Sequence, residues 1–447
     1  MMNYKYSKIS FAVVIAGNFA GTLQFDKGKM AFEYDPDYSG PNLSASMQRA
    51  NSMTFDDSQT RPVVSGLLPD NDRVRETMAD RIGASSSDLA SLLHEYGKDL
   101  PGAIQVCTFD ELDSVLASEG KYAPVSDNEI ANRLTKALSD KHPAWHYDSE
   151  HWSLGGYQGK FALAYIDGQW MSCEGAYPST HIIKPGVSGM PYQALVEFIS
   201  MQTASRLGLP TAKTLFDDFC EVPAIIIERY DRVYDGKNIL RLHQEDLCQA
   251  LGFDPNRKYR VSAKQAVEAL EQYTDKKSVQ RFADALLFNY LIGGLDAHAK
   301  NFSLIHLSEK EATLAPLYDV ASVLPYEKPN DGKVWRKLPM DIGGEKRIGA
   351  LTGSNIQHFA EQLNIDADEC KAKVIQFAEQ IPGTIDEICN DFSYVDNIEE
   401  VHDLMHKTIS INCEYAVKNI DRTHAKDDFI CPDTKMLYCG TLPQKVN

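Results

Sequence analysis

The chain has 447 residues, 43% of them hydrophobic and 10% aromatic, enough apolar material for roughly two to four domains and far from a disordered composition. With 45 Lys and Arg against 63 Asp and Glu, the formal net charge is −18, which disfavours direct binding to a phosphate backbone. The nine cysteines include no C-x-x-C pair, so they point to neither a disulfide framework nor a cysteine zinc site, and a reducing cytoplasm fits them.

In chain order, the first 35 residues alternate as strands. The short apolar run in "KISFAVVIAG" reads as one arm of a hairpin with "GNFAGTLQF" rather than as a signal peptide. No run approaches the roughly 18 apolar residues of a membrane span. Residues 36–62 are polar and rich in turn formers, and read as loop. "GLLPDNDRVRETMADRIG" and "SSSDLASLLHEYG" carry helical spacing with aspartate and serine available as caps. A polar stretch around 117–150 then separates this unit from two strands around a glycine-rich turn, a short strand "STHIIKP", a long helix "PYQALVEFISMQTASRLGL" and an apolar strand "VPAIIIERYDRV". After residue 241 the pattern is mainly helical, broken by a strand pair near 302–318.

Glycine loop, lysine strand, glutamate helix, strand, then a helical half with an acid-rich loop is the order of a protein kinase. The expected fold is therefore α+β and two-lobed: an N-terminal subdomain over 1–110, a kinase N-lobe over 111–240 and a mainly helical C-lobe over 241–447.

Phosphoryl transfer needs phosphates held, Mg²⁺ placed, and a hydroxyl aimed and relieved of its proton. "LDAHAKNFSLI" spaces Asp296 and Asn301 as the kinase catalytic loop spaces its base and its metal-binding amide, with Lys300 between them. The same string also reads as a polar helix end entering a hairpin. Asp319 in "LAPLYDVAS" stands where a kinase carries the aspartate of D-F-G, or else caps a helix. Lys184 ends an apolar strand and Glu197 follows on the next helix, as a phosphate-binding lysine and its partner do. The plainer alternatives are a solvated edge lysine and an exposed helix position. "SLGGYQGK" offers unobstructed backbone N–H groups to phosphate, fits neither a Walker loop nor G-x-G-x-x-G, and reads equally as a hairpin turn. Together, in one order, these signals favour an ATP-dependent phosphotransferase.

The strings "SLGGYQGKF", "THIIKP", "VEFISMQTASRLGLP", "IERYDR", "RLHQEDLCQALG", "GGLDAHAKNFSLI" and "LAPLYDVAS", with "GTLQF", "SGLLPD" and "GKDLPGAIQV" before them, resemble the HipA family, the kinase toxins of bacterial toxin–antitoxin operons. The resemblance implies ATP and Mg²⁺ as cofactors. It implies Asp296 as catalytic base with His298 and Lys300 beside it, Asn301 and Asp319 as Mg²⁺ ligands, and Lys184, supported by Glu197, on the phosphates. It places Glu228, Tyr230, Asp231 and Gln244 at the nucleotide, and Ser153, Gly155, Gly156, Gln158 and Lys160 in a phosphate loop whose Ser153 is autophosphorylated. It also implies a small helix-turn-helix antitoxin of the HipB kind, operator DNA reached through that antitoxin, and an aminoacyl-tRNA synthetase, typically the glutamyl enzyme, as protein substrate. Gly155, Gly159 and His243 depart from residues frequent in the family. Two rival readings use the same residues: a small-molecule phosphotransferase of kinase fold, and a co-repressor without catalysis.

Overall fold

The computed structural model describes residues 8–138, 152–155, 158–326 and 336–424. The chain forms two compact units. One comprises Met1–Pro185, Asp217–Lys258 and Ser303–Ala315, and the other Gly186–Phe216, Tyr259–Phe302 and Pro316–Asn447. The divisions differ from the sequence boundaries at 110 and 240. The helix carrying Glu197 belongs to the second unit, and the strands within Ser303–Ala315 belong to the first.

The first unit opens with a five-stranded antiparallel sheet, in the order Thr54–Phe55, Lys29–Tyr34, Asn18–Asp26, Ile9–Ile15, Ile104–Cys107. The expected hairpin is its centre. Its turn, Ala16–Gly17, has positive φ at both residues, the two-residue turn whose twist matches paired strands. Alternation then sends Phe11, Val13, Ile15, Leu23, Phe25 and Phe32 to one buried face. The helices Asp72–Ile82 and Leu89–Tyr96 lie where expected, started by the side chains of Asn71 and Asp88.

Two stretches read as polar connections are structured. Strand Thr54–Phe55 and helix Asp57–Gly66 occupy part of 36–62, and Asp56 caps that helix despite its internal Pro62. Strand Gly120–Pro124 and helix Asp127–Ala137, with a Ser126–Glu129 capping box, occupy part of 117–150. In both, short elements with one buried face gave too few periods to stand out from their polar residues.

In the same unit a second antiparallel sheet sets Val222–Glu228, His181–Lys184, Phe161–Ile166, Gln169–Gly175 and Gly120–Pro124 side by side. The turn joining Phe161–Ile166 to Gln169–Gly175 is Asp167–Gly168, so "SLGGYQG" precedes the hairpin rather than forming its tip. A third sheet joins Gln244–Asp246, Ser303–His306 and Ala312–Leu314.

A buried charge cluster ties the N-terminal subdomain to these strands. Asp99 accepts from Arg232 at 2.8 Å and from the backbone and hydroxyl of Ser179 at 3.0 and 2.6 Å, with Arg229 and Arg241 at 3.5 and 3.6 Å. Asp231 binds Arg229 at 2.9 Å and accepts the Gly102 N–H at 2.7 Å. All five charged groups are buried. Burial alone raises the Asp99 and Asp231 carboxyls, but the adjacent guanidinium groups overturn this and hold both below the usual carboxylate range. Asp231, expected at the nucleotide, is thus occupied in a structural ion cluster.

The second unit is mainly helical. Lys276–Ile292 buries Phe282, Leu286, Leu287 and Phe288, and packs on Ala367–Asp391 and Ile398–Asn419. Asn412 donates to the last carbonyls of the first of these helices, those of Tyr290 and Leu291, each at 2.9 Å. Among the described residues no helix is long and apolar enough to cross a membrane.

Replacing Asp99 by Ala leaves buried guanidinium charges without their acceptor and is expected to cost about 3–5 kcal/mol, read as a lower urea midpoint. Because both cluster carboxyls are depressed, their contribution is present above the ordinary carboxylate value near pH ~4 and is lost as pH falls through the lowered values. The gap between wild type and Asp99→Ala therefore stays constant from pH 8 to about 5 and closes only in stronger acid.

Candidate active site

In the helical unit the site is built on the end of Lys276–Ile292. Gly293 closes that helix with φ +74, and a Cβ there would lie 2.4 Å from Leu324 Cγ, so only glycine lets the chain turn at this point. The loop that follows ends in a short turn, Ala299–Asn301, held by the His298 N–H on the Asp296 carbonyl at 2.7 Å and the Asn301 N–H on the His298 carbonyl at 2.9 Å. The Asn301 side-chain nitrogen donates to the Asp296 carbonyl at 2.8 Å, which leaves its amide oxygen as the acceptor of that side chain.

The Asp296 carboxylate is 58% exposed and accepts the Tyr259 hydroxyl at 2.8 Å. His298 Nε2 lies 3.8 Å from its other oxygen, and the buried His298 ring packs edge-on to Tyr259 at 4.8 Å. The sequence pattern gives no sign of a role for Tyr259. It sits in "RKYR", 37 residues from Asp296, and no motif spacing marks it. Lys300 is buried, and its carbonyl accepts the Tyr318 hydroxyl at 2.7 Å, which ties the segment bearing Asp319 to the loop.

Asp319 is half-buried at φ +59, a left-handed conformation uncommon outside glycine. The chain before it is fixed by Ala212 N–H to Leu317 carbonyl (2.8 Å) and Leu317 N–H to Pro210 carbonyl (2.7 Å). Such strain persists where surrounding structure imposes it and gathers at functional sites. An amide oxygen and a carboxylate are hard donors, the kind Mg²⁺ takes. Glu197, in the same unit, is buried on helix Gln193–Arg206 and accepts from Gln193 at 3.4 Å, so it is not an exposed helix position.

In the sheet unit, Lys184 is buried in a central strand, opposite Ile225, rather than solvated at an edge. A buried ammonium is kept only where partners or ligands compensate it. Glu228 ends the neighbouring strand opposite His181. The Tyr230 hydroxyl donates to Gln244 Oε1 at 3.0 Å, which brings two of the expected nucleotide residues together.

Ser153 is fully buried: its N–H donates to the Asp99 carbonyl at 3.0 Å and its hydroxyl to the Leu67 carbonyl at 3.2 Å. Gly155, Gln158 and Lys160 are half-buried, and Gly156 lies outside the described residues. A Cβ on Gly155 would meet the Gly66 carbonyl at 3.6 Å, an ordinary contact, so this glycine is not required by space. His243 is buried, with Nε2 3.1 Å from the Leu43 carbonyl and its ring stacked at 4.8 Å on His306. Burial first, then His306, pushes it down to about 3, so it is neutral at physiological pH.

The HipA N-terminal domain family matches residues 11–107, and the HipA-like C-terminal domain family matches residues 152–385. Among curated relatives, a putative kinase Y4mE of Sinorhizobium fredii is 28% identical over 402 residues, covering 86% of this chain and 94% of that protein. The serine/threonine-protein kinase toxin HipA of Shewanella oneidensis is 26% identical over 391 residues, covering 82% and 86%. A solved Shewanella oneidensis complex of HipA, HipB and operator DNA contains a chain that matches with TM-score 0.76 at 24% identity, over 90% of this chain and 96% of that one. Two matching domains, an α+β kinase-like fold and near full-length coverage have one reading: the chain belongs to the HipA family of serine/threonine kinase toxins.

Proposed function

We propose that the protein transfers the γ-phosphoryl group of ATP, with Mg²⁺, to a serine or threonine hydroxyl of a protein substrate, and that it is the toxin of a HipBA-like pair. The observation that carries this reading is the Asp296–Asn301 loop: an exposed carboxylate oriented by Tyr259, on a backbone locked by Asn301. Asp296 accepts the proton of the attacking hydroxyl, and the solvent-facing carboxylate is open to that substrate. Asn301 and Asp319 supply oxygen ligands to Mg²⁺, which when bound neutralises phosphate charge. Lys184 in the sheet unit and Lys300 in the helical unit each offer positive charge suited to phosphates, and Glu197 is a buried carboxylate of the helical unit. Tyr230 and Gln244, and beside them Glu228, form the nucleotide side.

The substrate is an aminoacyl-tRNA synthetase, of which the glutamyl enzyme is the first to test, and its phosphorylation halts translation in the cytoplasm. The partner is a basic HipB-like antitoxin. At net charge −18 this chain leaves the phosphate contacts to that partner, as co-repressor on operator DNA. Ser153 is the autophosphorylation site. Its hydroxyl leaves the Leu67 carbonyl before it can be phosphorylated, and a phosphate does not return to that dry slot.

Asp296→Ala is expected to lower phosphate transfer from labelled ATP by about 10²–10⁴-fold with an unchanged urea midpoint, because its carboxylate is exposed. Asp319→Asn is expected to abolish transfer at ordinary Mg²⁺. Transfer unchanged in both would sink the site. Tyr259→Phe is expected to reduce kcat about tenfold with KM for ATP unaltered; a pure KM effect would deny its role in orienting the base.

Peptide mapping after incubation with Mg-ATP is expected to place phosphate on Ser153 in the wild type and none in Ser153→Ala. Hydrogen exchange around 152–155 should rise on phosphorylation. A phosphate mapped elsewhere would remove Ser153 from the scheme.

A further inference from the structure

In the helical unit, helices Ala367–Asp391 and Ile398–Asn419 pack along one another and border an open cleft of about 740 Å³. The described residues that line this cleft include none of the kinase-motif residues. Its wall carries Asp386, His402, Asp403 and His406. His402 and His406 are four residues apart and therefore share one helix face. Asp386 comes from the other helix, and its Oδ1 lies 2.7 Å from His402 Nε2 and 2.6 Å from His406 Nδ1. Among the described residues these three form a group whose ligand atoms all lie within 4.8 Å of one another.

We propose that Asp386, His402 and His406 bind one divalent transition-metal ion of the zinc class, which clips the two helices together. Two imidazole nitrogens and one carboxylate oxygen are the donors Zn²⁺, Co²⁺ and Ni²⁺ take, whereas Mg²⁺ and Ca²⁺ ask for oxygen throughout. Ligand atoms set about 2.1 Å from a tetrahedral ion stand about 3.4 Å apart. The two Asp386–histidine spacings therefore open by less than 1 Å, within reach of side chains that are 29%, 39% and 41% exposed for His402, His406 and Asp386. That exposure also gives the ion a path from solvent.

A second observation points the same way. His402 Nδ1, the ring nitrogen facing away from Asp386, lies 3.3 Å from Asp403 Oδ1. On loading, Nε2 gives up the proton it shares with Asp386 and binds through its lone pair, while Nδ1 keeps its N–H facing the Asp403 carboxylate, the place an acceptor takes behind metal-bound histidines. Without an ion, both imidazoles share one oxygen of Asp386, and the ion replaces those two contacts with two nitrogen bonds. Three protein ligands leave the fourth position of a tetrahedron to water.

The test is calorimetric titration of the full-length protein, free of ATP and Mg²⁺, with zinc chloride, followed by visible absorption of the cobalt-loaded protein. Expected are one equivalent bound, an upward shift of Tm on loading, and cobalt bands without a thiolate charge-transfer band, which sets the nine cysteines aside. His402→Ala with His406→Ala should weaken binding at least 100-fold. Asp403→Asn, which touches no ligand atom, should weaken it about 10- to 100-fold. Circular dichroism of the metal-free variants checks that they fold.

No binding by the wild type, undiminished binding by the double variant, or a thiolate band would each overturn the proposal. The three side chains would then be an ion pair between helices and nothing more.

Discussion

Asp99 is the residue on which the sheet unit depends. Its carboxylate holds Ser179 and Arg232 and lies within ion-pair range of Arg229 and Arg241, while its own carbonyl takes the Ser153 N–H. Moving a charge out of water is costly, so none of these groups is stable in the interior alone. Together they satisfy one another, and Arg229 and Arg232 also donate to the Leu100 and Gly102 carbonyls. Three chain segments, near 99–102, 176–179 and 229–241, are therefore fixed by one cluster. Ser153 and the strand leading to Tyr230 take their positions from it.

A second buried carboxylate repeats the device. Glu245 accepts from the Ser44 hydroxyl, the Ala45 N–H and His306. It joins the loop near residue 44 to the sheet of Gln244–Asp246 and Ser303–His306. His243 stays neutral beside it and stacks on His306. The N-terminal subdomain is thus bonded to the lysine-bearing strands through charged groups with no water around them, where electrostatic contacts are strong but demanding in geometry.

The Asp296–Asn301 loop rests on a different principle. A rigid apolar helix delivers it, Gly293 turns it, and three short-range hydrogen bonds close it. Most of these contacts lie within about six residues, and for that reason the loop was legible in one dimension. Tyr259 and Tyr318 were not, because each reaches the loop across many residues with a single hydroxyl. Glu197 and Lys184 were named from motif order, yet their burial follows from packing on several strands and helices that periodicity alone does not assign. Asp231 shows the reverse: the string "IERYDR" drew it to the nucleotide with its neighbours, and the fold spends its charge on Arg229 and Arg232.

The amino-acid sequence by itself determined what is local or patterned. That covers the hairpins with their X-Gly turns, the capped helices, the kinase order of lysine, glutamate, aspartate and asparagine, and the acidic charge. These depend on backbone preferences and spacing along the chain. Only the tertiary structure decided which charges are buried together, which strands and helices join one unit across long gaps, and that Asp386 on one helix meets His402 and His406 on the next. Those outcomes depend on which side chains share a solvent-excluded volume, and pairing at that range is set by the packing of the whole unit.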